Sequence, residues 1–265
     1  MTHRKLGIAL SGGGARGFAH IGVLKTLAAN GIKPDMIAGV SAGSFVGGAF
    51  AAGLSADEIV EIGKEVGWLR VAGFSYSPRG LLSSSAMGTF IEKHFPSTRF
   101  EALEIPFAAV ACDLATGKEI VFKDNGDLSF AIRASCAIPG VFVPMIDEEG
   151  KSLIDGGAAT PMPTKAVRKM GADIVVAVDV LSCGVTYRGV PSTLVGTFFQ
   201  AAMLMITRAS KNQHYRADIV IEPKVAHLRP DDLGKRDELI DLGERAAEEM
   251  LPALKELLQS KSHTA

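Results

Sequence analysis

Neither sign of charge prevails in this chain: 28 lysines and arginines stand against 29 aspartates and glutamates, a formal net charge of −1. With a pI near 6.6 and no long run of like charge, the sequence has no electrostatic footprint for nucleic acid. Cysteine is scarce too. Cys112, Cys136 and Cys183 are odd in number, far apart and without a Cys-x-x-Cys pair, so they read as small apolar residues buried in a reducing compartment. No secretory leader is expected in the first residues: the first apolar run stops at Leu10, too short for a signal-peptide core, and glycines stand where a cleavage site would be. Internal repeats and low-complexity linkers are absent. What remains is a globular composition, 47% apolar and 22% charged over 265 residues, which suits one large domain with a sizeable core.

One stretch imitates a membrane span. From Met36 to Ala56 there is no charged residue, and Gly39, Gly43 and Gly47 repeat at the four-residue spacing of membrane helix pairs. Five glycines in that window would each cost a helix about 0.8–1 kcal/mol relative to alanine. A buried strand, a turn and a buried helix account for the same residues without a bilayer.

Short apolar runs predict strands at Leu6–Leu10, Met36–Val40, Ile105–Cys112, Glu119–Phe122, Leu153–Ile154, Asp173–Asp179 and Asp218–Ile221. Between them, helical patterns fall over Phe18–Leu27, Ala42–Ala52, a segment capped by Ser55-Ala56-Asp57-Glu58, Gly88–His94, Leu128–Ser135, Pro163–Met170 and Leu194–Ala209. Leu194–Ala209 is strongly apolar and is expected to pack in the core, with a lipid-facing surface as the competing reading. Trp68–Ser85 reads as a long loop with little regular structure, a candidate lid, and Leu194–Ala209 as a candidate acyl-contacting wall. The tail from Lys235 to Leu258 reads as an amphipathic helix broken at Pro252. Alternating strands and helices argue for an α/β fold with a parallel or mixed sheet covered on both faces.

Chemistry concentrates in three places. Gly39-Val40-Ser41-Ala42-Gly43 follows a strand and opens a helix, the setting in which a serine sits exposed on a sharp turn. Gly12, Gly14 and Gly17 fit Gly-x-Gly-x-x-Gly between a strand and a helix, as in dinucleotide sites. That reading needs an acidic residue at the end of the second strand; Asp35 stands at its start, and the strand ends instead in Val40-Ser41. The same glycines can form an anion site of free N–H groups facing Ser41, an oxyanion hole, with Arg16 as a fixed charge, a loop-orienting group or an ordinary structural ion pair. Ser41 then needs a base. Asp155 with His214 or His227 would make a triad in the chain order of α/β-hydrolases, although neither histidine lies in a glycine-rich turn after a strand. Asp155 alone, ending an apolar strand before Gly156 and Gly157, would make a Ser–Asp dyad.

Taken together, Gly12–Gly17 as Gly-Gly-Gly-x-Arg-Gly, Gly39–Gly43 as Gly-x-Ser-x-Gly, and Asp155-Gly156-Gly157 resemble the patatin-like phospholipase family, and within it the bacterial group related to neuropathy target esterase. Ala111–Gly117, Arg133–Gly140 and Met170–Asp173 also look like that group, and the likeness covers about residues 6–222. The third motif ends Gly-Gly where many relatives have Gly-Ala. The resemblance implies a three-layer α/β/α fold with a mainly parallel central sheet, as one catalytic domain over residues 1–265 with a C-terminal helical tail at about 235–260. It also implies a Ser41–Asp155 dyad, an oxyanion hole at Gly12, Gly13 and Gly14, and supporting roles for Arg16, Gly17, Gly39, Gly43, Gly156 and Gly157. Neither cofactor nor metal is expected, and no calcium-loop pattern is present. The expected substrate is a phospholipid, lysophospholipid or other acyl ester. The expected setting is cytoplasmic, with transient contact at the inner membrane face and no nucleic acid; oligomeric state is not legible. An adaptor with slow or residual hydrolase activity is the alternative from a different class.

Overall fold

The computed structural model describes residues 4–67, 73–75, 77–183 and 191–259. The chain opens with β1 (Leu6–Leu10), α1 (Phe18–Ala29), β2 (Met36–Val40) and α2 (Ala42–Ala51), both strands being buried from end to end. Next, α3 (Ala56–Glu65) begins on a capping box in which Ser55 Oγ accepts the Glu58 N–H at 3.3 Å and Glu58 accepts the Ser55 N–H at 2.8 Å. After β3 (Gly73–Phe74), β4 (Gly80–Ser83) and α4 (Ser85–His94) comes the hairpin of β5 (Phe107–Asp113) and β6 (Glu119–Lys123). The middle of the chain supplies α5 (Leu128–Ser135), β7 (Gly140–Phe142), β8 (Met145–Ile146) and β9 (Ser152–Asp155). It closes with α6 (Thr164–Lys169), β10 (Ile174–Val178), α7 (Leu194–Lys211), β11 (Ile219–Ile221) and α8 (Arg236–Gln259).

The main sheet runs in the order β11-β10-β1-β2-β5-β9-β8, and its first five strands are parallel. Strand side chains alternate between faces. Ile8, Leu10, Ile37, Phe107, Val176 and Val178 join the larger core with α1, α2, α3 and α8; Ala9, Ala38, Val40, Val110, Val175 and Ala177 meet Met162, Ala166 and Val167 at α6. Each fully buried Ile, Leu or Val stabilises such a core by about 1.5–3 kcal/mol. The fold is therefore α/β, mostly parallel, with helices on both faces, as expected.

One local arrangement positions everything that follows. β6 occupies one edge of β5 over Ala108–Cys112, so β2 and β9 must share the other. There β2 runs parallel to β5 and ends at the pair Val40↔Val110, while β9 runs antiparallel and ends at Asp155↔Ala111. The two strands thus approach along one edge and stop at adjacent registers, which brings the residues after Val40 and after Ile154 together.

Four expectations need correction. Trp68–Ser85 is not without regular structure: β3 pairs with β4, and β4 pairs with β7 through Gly80↔Gly140 and Leu82↔Phe142, while residues 68–72 and 76 lie outside the described residues. The C-terminal helix is not broken at Pro252. Pro252 is exposed within α8, and so is Glu248, whose carbonyl it frees to water. Cys183 is only partly buried, unlike Cys112 and Cys136, and all three are free thiols. Finally, α7 is not a core helix: Leu194, Phe198, Leu204 and Met205 are exposed at 85%, 79%, 54% and 73%. Met36–Ala56 forms β2, the turn at Ser41, the helix α2 and the first residue of α3, and among the described residues no helix is long and apolar enough to cross a membrane.

Candidate active site

Ser41 sits between β2 and α2 with φ 53° and ψ −124°, a conformation that costs a non-glycine residue about 1–3 kcal/mol. Its neighbours over-determine that geometry. The Ser41 N–H donates to Ser135 Oγ at 2.9 Å, and its carbonyl accepts Ser44 Oγ at 2.7 Å and the Ser44 and Phe45 N–H groups at 2.8 and 3.1 Å. Gly39, in β2, lets the start of α2 come close, because a Cβ on it would lie 2.3 Å from the Gly43 carbonyl oxygen, and Gly43 lets α2 cross β1, because a Cβ there would lie 2.4 Å from the Leu10 carbonyl oxygen. Gly17, between the glycine turn and α1, packs against Ala42.

Asp155 arrives from the opposite direction at the end of β9. Gly156 must lack a side chain here, since a Cβ would lie 2.1 Å from the Val110 carbonyl oxygen, and the Gly157 N–H donates to Asp155 Oδ1 at 2.8 Å. Burial pushes the Asp155 pKa up to about 6, against the opposing hydrogen bonds from the Ser41 side chain and the Gly157 N–H. A base near 6 is ionised at neutral pH yet still accepts a proton readily. Cys136, buried 3.8 Å from Ser44, offers no rival nucleophile: burial first and the Asp155 charge second push its thiol up to about 12.

The glycine loop lies at the same sheet edge. The Gly12 N–H is committed to the Pro161 carbonyl at 3.2 Å, whereas the Gly13 and Gly14 N–H groups have no internal partner among the described residues. Of the three glycines read as oxyanion donors, two therefore have hydrogens to offer. Gly12 instead lets the loop lie close to the serine, since a Cβ on it would be 3.4 Å from Ser41 Cβ. Arg16 is 1% exposed and orients the loop: its guanidinium donates to the carbonyls of Leu228 at 2.9 Å, Ala226 at 3.1 Å and Val180 at 3.5 Å. His20 buttresses the loop from below. Its Nε2 lies 2.9 Å from the Ser11 carbonyl, which can only accept, and burial lowers its pKa to about 4, so the ring is neutral with the proton on Nε2.

Neither histidine proposed for a triad faces Asp155. His214 Nε2 lies 2.7 Å from Asp179 Oδ2, and His227 Nε2 lies 3.0 Å from Glu238 Oε1. Asp35, the residue a nucleotide site would need, accepts the Leu6 N–H at 2.7 Å at the far edge of the sheet. Among the described residues there is no cluster of three or more His, Cys, Asp or Glu that could hold a metal.

An apolar pocket of about 140 Å³ opens beside Ser41, with walls that include Phe18, Ile21, Phe45, Ile59, Met87 and Phe142. These come from α1, α2, α3, α4 and β7. Among the described residues none of α7 lines it, unlike the acyl-contacting wall expected at Leu194–Ala209. Sequence reasoning also missed Ser135, Ser44 and the 226–230 segment. For Ser135 a signal was present: a serine closing a helix whose buried positions are mostly apolar; it is 0% exposed, and its Oγ also donates to the Val110 carbonyl at 2.6 Å.

Comparison with known proteins follows the same lines. An uncharacterized NTE family protein of Mycobacterium tuberculosis is 39% identical over 178 residues, 66% of this chain and 49% of that protein. Patatin-like phospholipase domain-containing protein 6 of Homo sapiens is 34% identical over 189 residues, 68% of this chain and 14% of that protein. The chain thus spans about half the length of the mycobacterial relatives it matches. In fold it is similar to VipD from Legionella pneumophila, with a TM-score of 0.67 at 13% identity over 95% of this chain and 67% of that one. It is also similar to human GIVD cytosolic phospholipase A2, with a TM-score of 0.57 at 12% identity over 97% of this chain and 59% of that one. Residues 8–168 match the patatin-like phospholipase family, spanning the glycine loop, the Ser41 turn and Asp155, and the chain belongs to that family.

Proposed function

We propose that the chain is a serine hydrolase of lipid acyl esters, working through a Ser41–Asp155 dyad with no histidine. The observation that carries this reading is a strained serine at the mouth of an apolar pocket, set by the meeting of β2 and β9 beside a buried carboxylate whose pKa is raised to about 6. The acyl chain occupies the pocket, so that its ester carbonyl meets Ser41 Oγ. As Oγ attacks, Asp155 takes the hydroxyl proton, and the negative charge on the carbonyl oxygen is met by the Gly13 and Gly14 N–H groups. Asp155 returns the proton to the departing alcohol. Water then enters and gives a proton to Asp155 as its oxygen attacks the acyl-enzyme, and Asp155 passes that proton to Ser41 Oγ as the acyl–oxygen bond breaks, which releases the fatty acid and restores both groups. A phospholipid or lysophospholipid fits this sequence because only the acyl arm needs a pocket. The reading includes a cytoplasmic protein that meets the inner membrane face transiently.

A fluorophosphonate probe tests the nucleophile. Wild type should be labelled and Ser41→Ala should not, while profiling of lipid esters should find turnover lost in both Ser41→Ala and Asp155→Asn. His227→Ala and His214→Ala should keep it. Loss of turnover in either histidine variant, correctly folded, would replace the dyad with a triad.

A further inference from the structure

α7 departs from the usual plan of a soluble helix. At 3.6 residues per turn, Leu194, Phe198, Ala201 and Met205 fall within about 60° of one another, and all four are exposed. A helix on the surface of a soluble protein carries polar residues on such a stripe. Here the charged residues of the helix come only at its end, as the exposed Arg208 and Lys211, and Tyr215 and Arg216 follow.

Charge adds a second, independent observation. Between Asp179 and Asp218 the sequence has no aspartate or glutamate, while it has Arg188, Arg208, Lys211 and Arg216. Among the described residues neither Arg208 nor Lys211 forms a salt bridge. An isologous contact with a second copy sets the same patch against itself, so this element would offer its cations no acidic partner. Anionic lipid headgroups offer them one, and the acyl region below accepts the apolar stripe.

The root of the helix ties this surface to the catalytic edge. Ser210 Oγ and His214 Nε2 both lie 2.7 Å from Asp179 Oδ2, just past the end of β10. Gln213 Oε1 accepts the Met162 N–H at 2.9 Å, and the neighbouring Pro161 carbonyl accepts the N–H of Gly12. We propose that α7 is a membrane-docking helix that lies in the interface of an anionic bilayer, with its apolar stripe among acyl chains and Arg208 and Lys211 at the phosphates, so that the Ser41 pocket meets lipid at the surface. This inference rests on the lipid-ester reading above, because a hydrolase of soluble esters has no use for a bilayer.

The test uses the full chain carrying Ser41→Ala, so that vesicles stay intact, in flotation with phosphatidylcholine vesicles alone or with roughly 30% phosphatidylglycerol. Binding should favour the anionic vesicles. Phe198→Ser/Met205→Ser should abolish it, and Arg208→Glu/Lys211→Glu should weaken it by about thirtyfold or more. The same pairs in the Ser41 background should hydrolyse a short water-soluble p-nitrophenyl ester within about twofold of wild type, since none of these four residues lines the pocket. Wild type that cleaves the short ester while the Ser41→Ala protein fails to float overturns the docking helix and leaves the hydrolase standing. Floating protein whose Ser41 form cleaves no ester supports docking and overturns the hydrolase. A change from dimer to monomer in Phe198→Ser/Met205→Ser, with flotation unaltered, gives the stripe to self-association and also overturns docking.

Discussion

The edge of the sheet that carries Ser41 holds two buried Ser–Asp pairs, and they are opposite in character. Asp155 receives the Ser41 side chain and one backbone N–H, from Gly157. Asp179 is buried as well, which alone would raise its pKa, but His214, Ser210 and the Leu181 and Ser182 N–H groups overcome burial and lower it. The number of donors decides the role. A carboxylate with few donors keeps a hold on its proton and serves as a base; one with four is locked as an anion and serves as an anchor. The serines differ in the same way. Ser41 is strained and opens onto a pocket, whereas Ser210 is 0% exposed within a helix.

Neutralising each aspartate breaks the comparison most sharply. Asp155→Asn should lower ester turnover by about a thousandfold or more and yet stabilise the fold. A carboxylate raised from 3.8 to about 6 is ionised in the folded state at pH 7 at a cost of up to about 3 kcal/mol, and asparagine still accepts the Gly157 N–H. Asp179→Asn should do the reverse, destabilising by about 2–3 kcal/mol through its unsatisfied donors while the chemical step of any folded protein survives. Denaturant unfolding at pH 7 beside ester turnover reads both. Stability changes of the same sign in the two variants would end the distinction between base and anchor.

Their pH dependence should separate next. With Asp155 as the base proposed above, its ionised form is the reactive one, so kcat/KM should climb about tenfold per pH unit below 6 and level off above about 7. Its contribution to stability has the opposite slope: the folded state binds its proton more tightly than the unfolded chain, so stability falls as pH rises from 3.8 through about 6. The anchor behaves differently. Asp179 is lowered, so its contribution is present above 3.8 and lost as pH falls through its folded value. His214 is raised, chiefly by its hydrogen bond to Asp179, so its contribution is full below 6.5 and lost as pH rises through its folded value. Asp155→Asn should therefore flatten the stability curve between about pH 4 and 6 and leave the limb above 6.5 in place. Unfolding midpoints taken across that range would show it.

Much of this was legible in the sequence, and the failures share a cause. The five parallel strands, the turn at Ser41 and the helix boundaries near Gly31 and Ser55 follow from local pattern, which is why they could be read. Pairing at a distance could not. Nothing local announces that β9 runs antiparallel and stops against the end of β2, which is what brings Asp155 to Ser41. Likewise β4 exists because it pairs with β7, some 60 residues away. The apolar pattern of Leu194–Lys211 identifies a helix but not whether its apolar side meets protein or lipid, and it was the absence of acidic neighbours that carried that information. Asp179 follows an apolar strand much as Asp155 ends one, and only the donors gathered around it, from Ser210 in α7, His214 just beyond and the Leu181 and Ser182 N–H groups, tell the two apart.

The smallest expected effect concerns a serine that touches neither carboxylate. Ser135 Oγ accepts the Ser41 N–H and donates to the Val110 carbonyl, so it ties the strained turn to the register at which β2 and β9 meet. Ser135→Ala leaves that N–H buried and unpaired and should cost about 1–2 kcal/mol of stability. If Ser135 acts only as a brace, its loss changes stability and nothing else, as Ser210→Ala should by freeing one donor site on Asp179. If it positions Ser41, kcat should fall about five- to tenfold with KM nearly unchanged, because the pocket that binds the acyl chain does not include it. The two serine-to-alanine variants are therefore a matched pair. Equal kcat in both would reduce Ser135 to a structural residue. A fall confined to Ser135→Ala would show that the turn's backbone, and not the hydroxyl of Ser41 alone, is part of what makes this serine reactive.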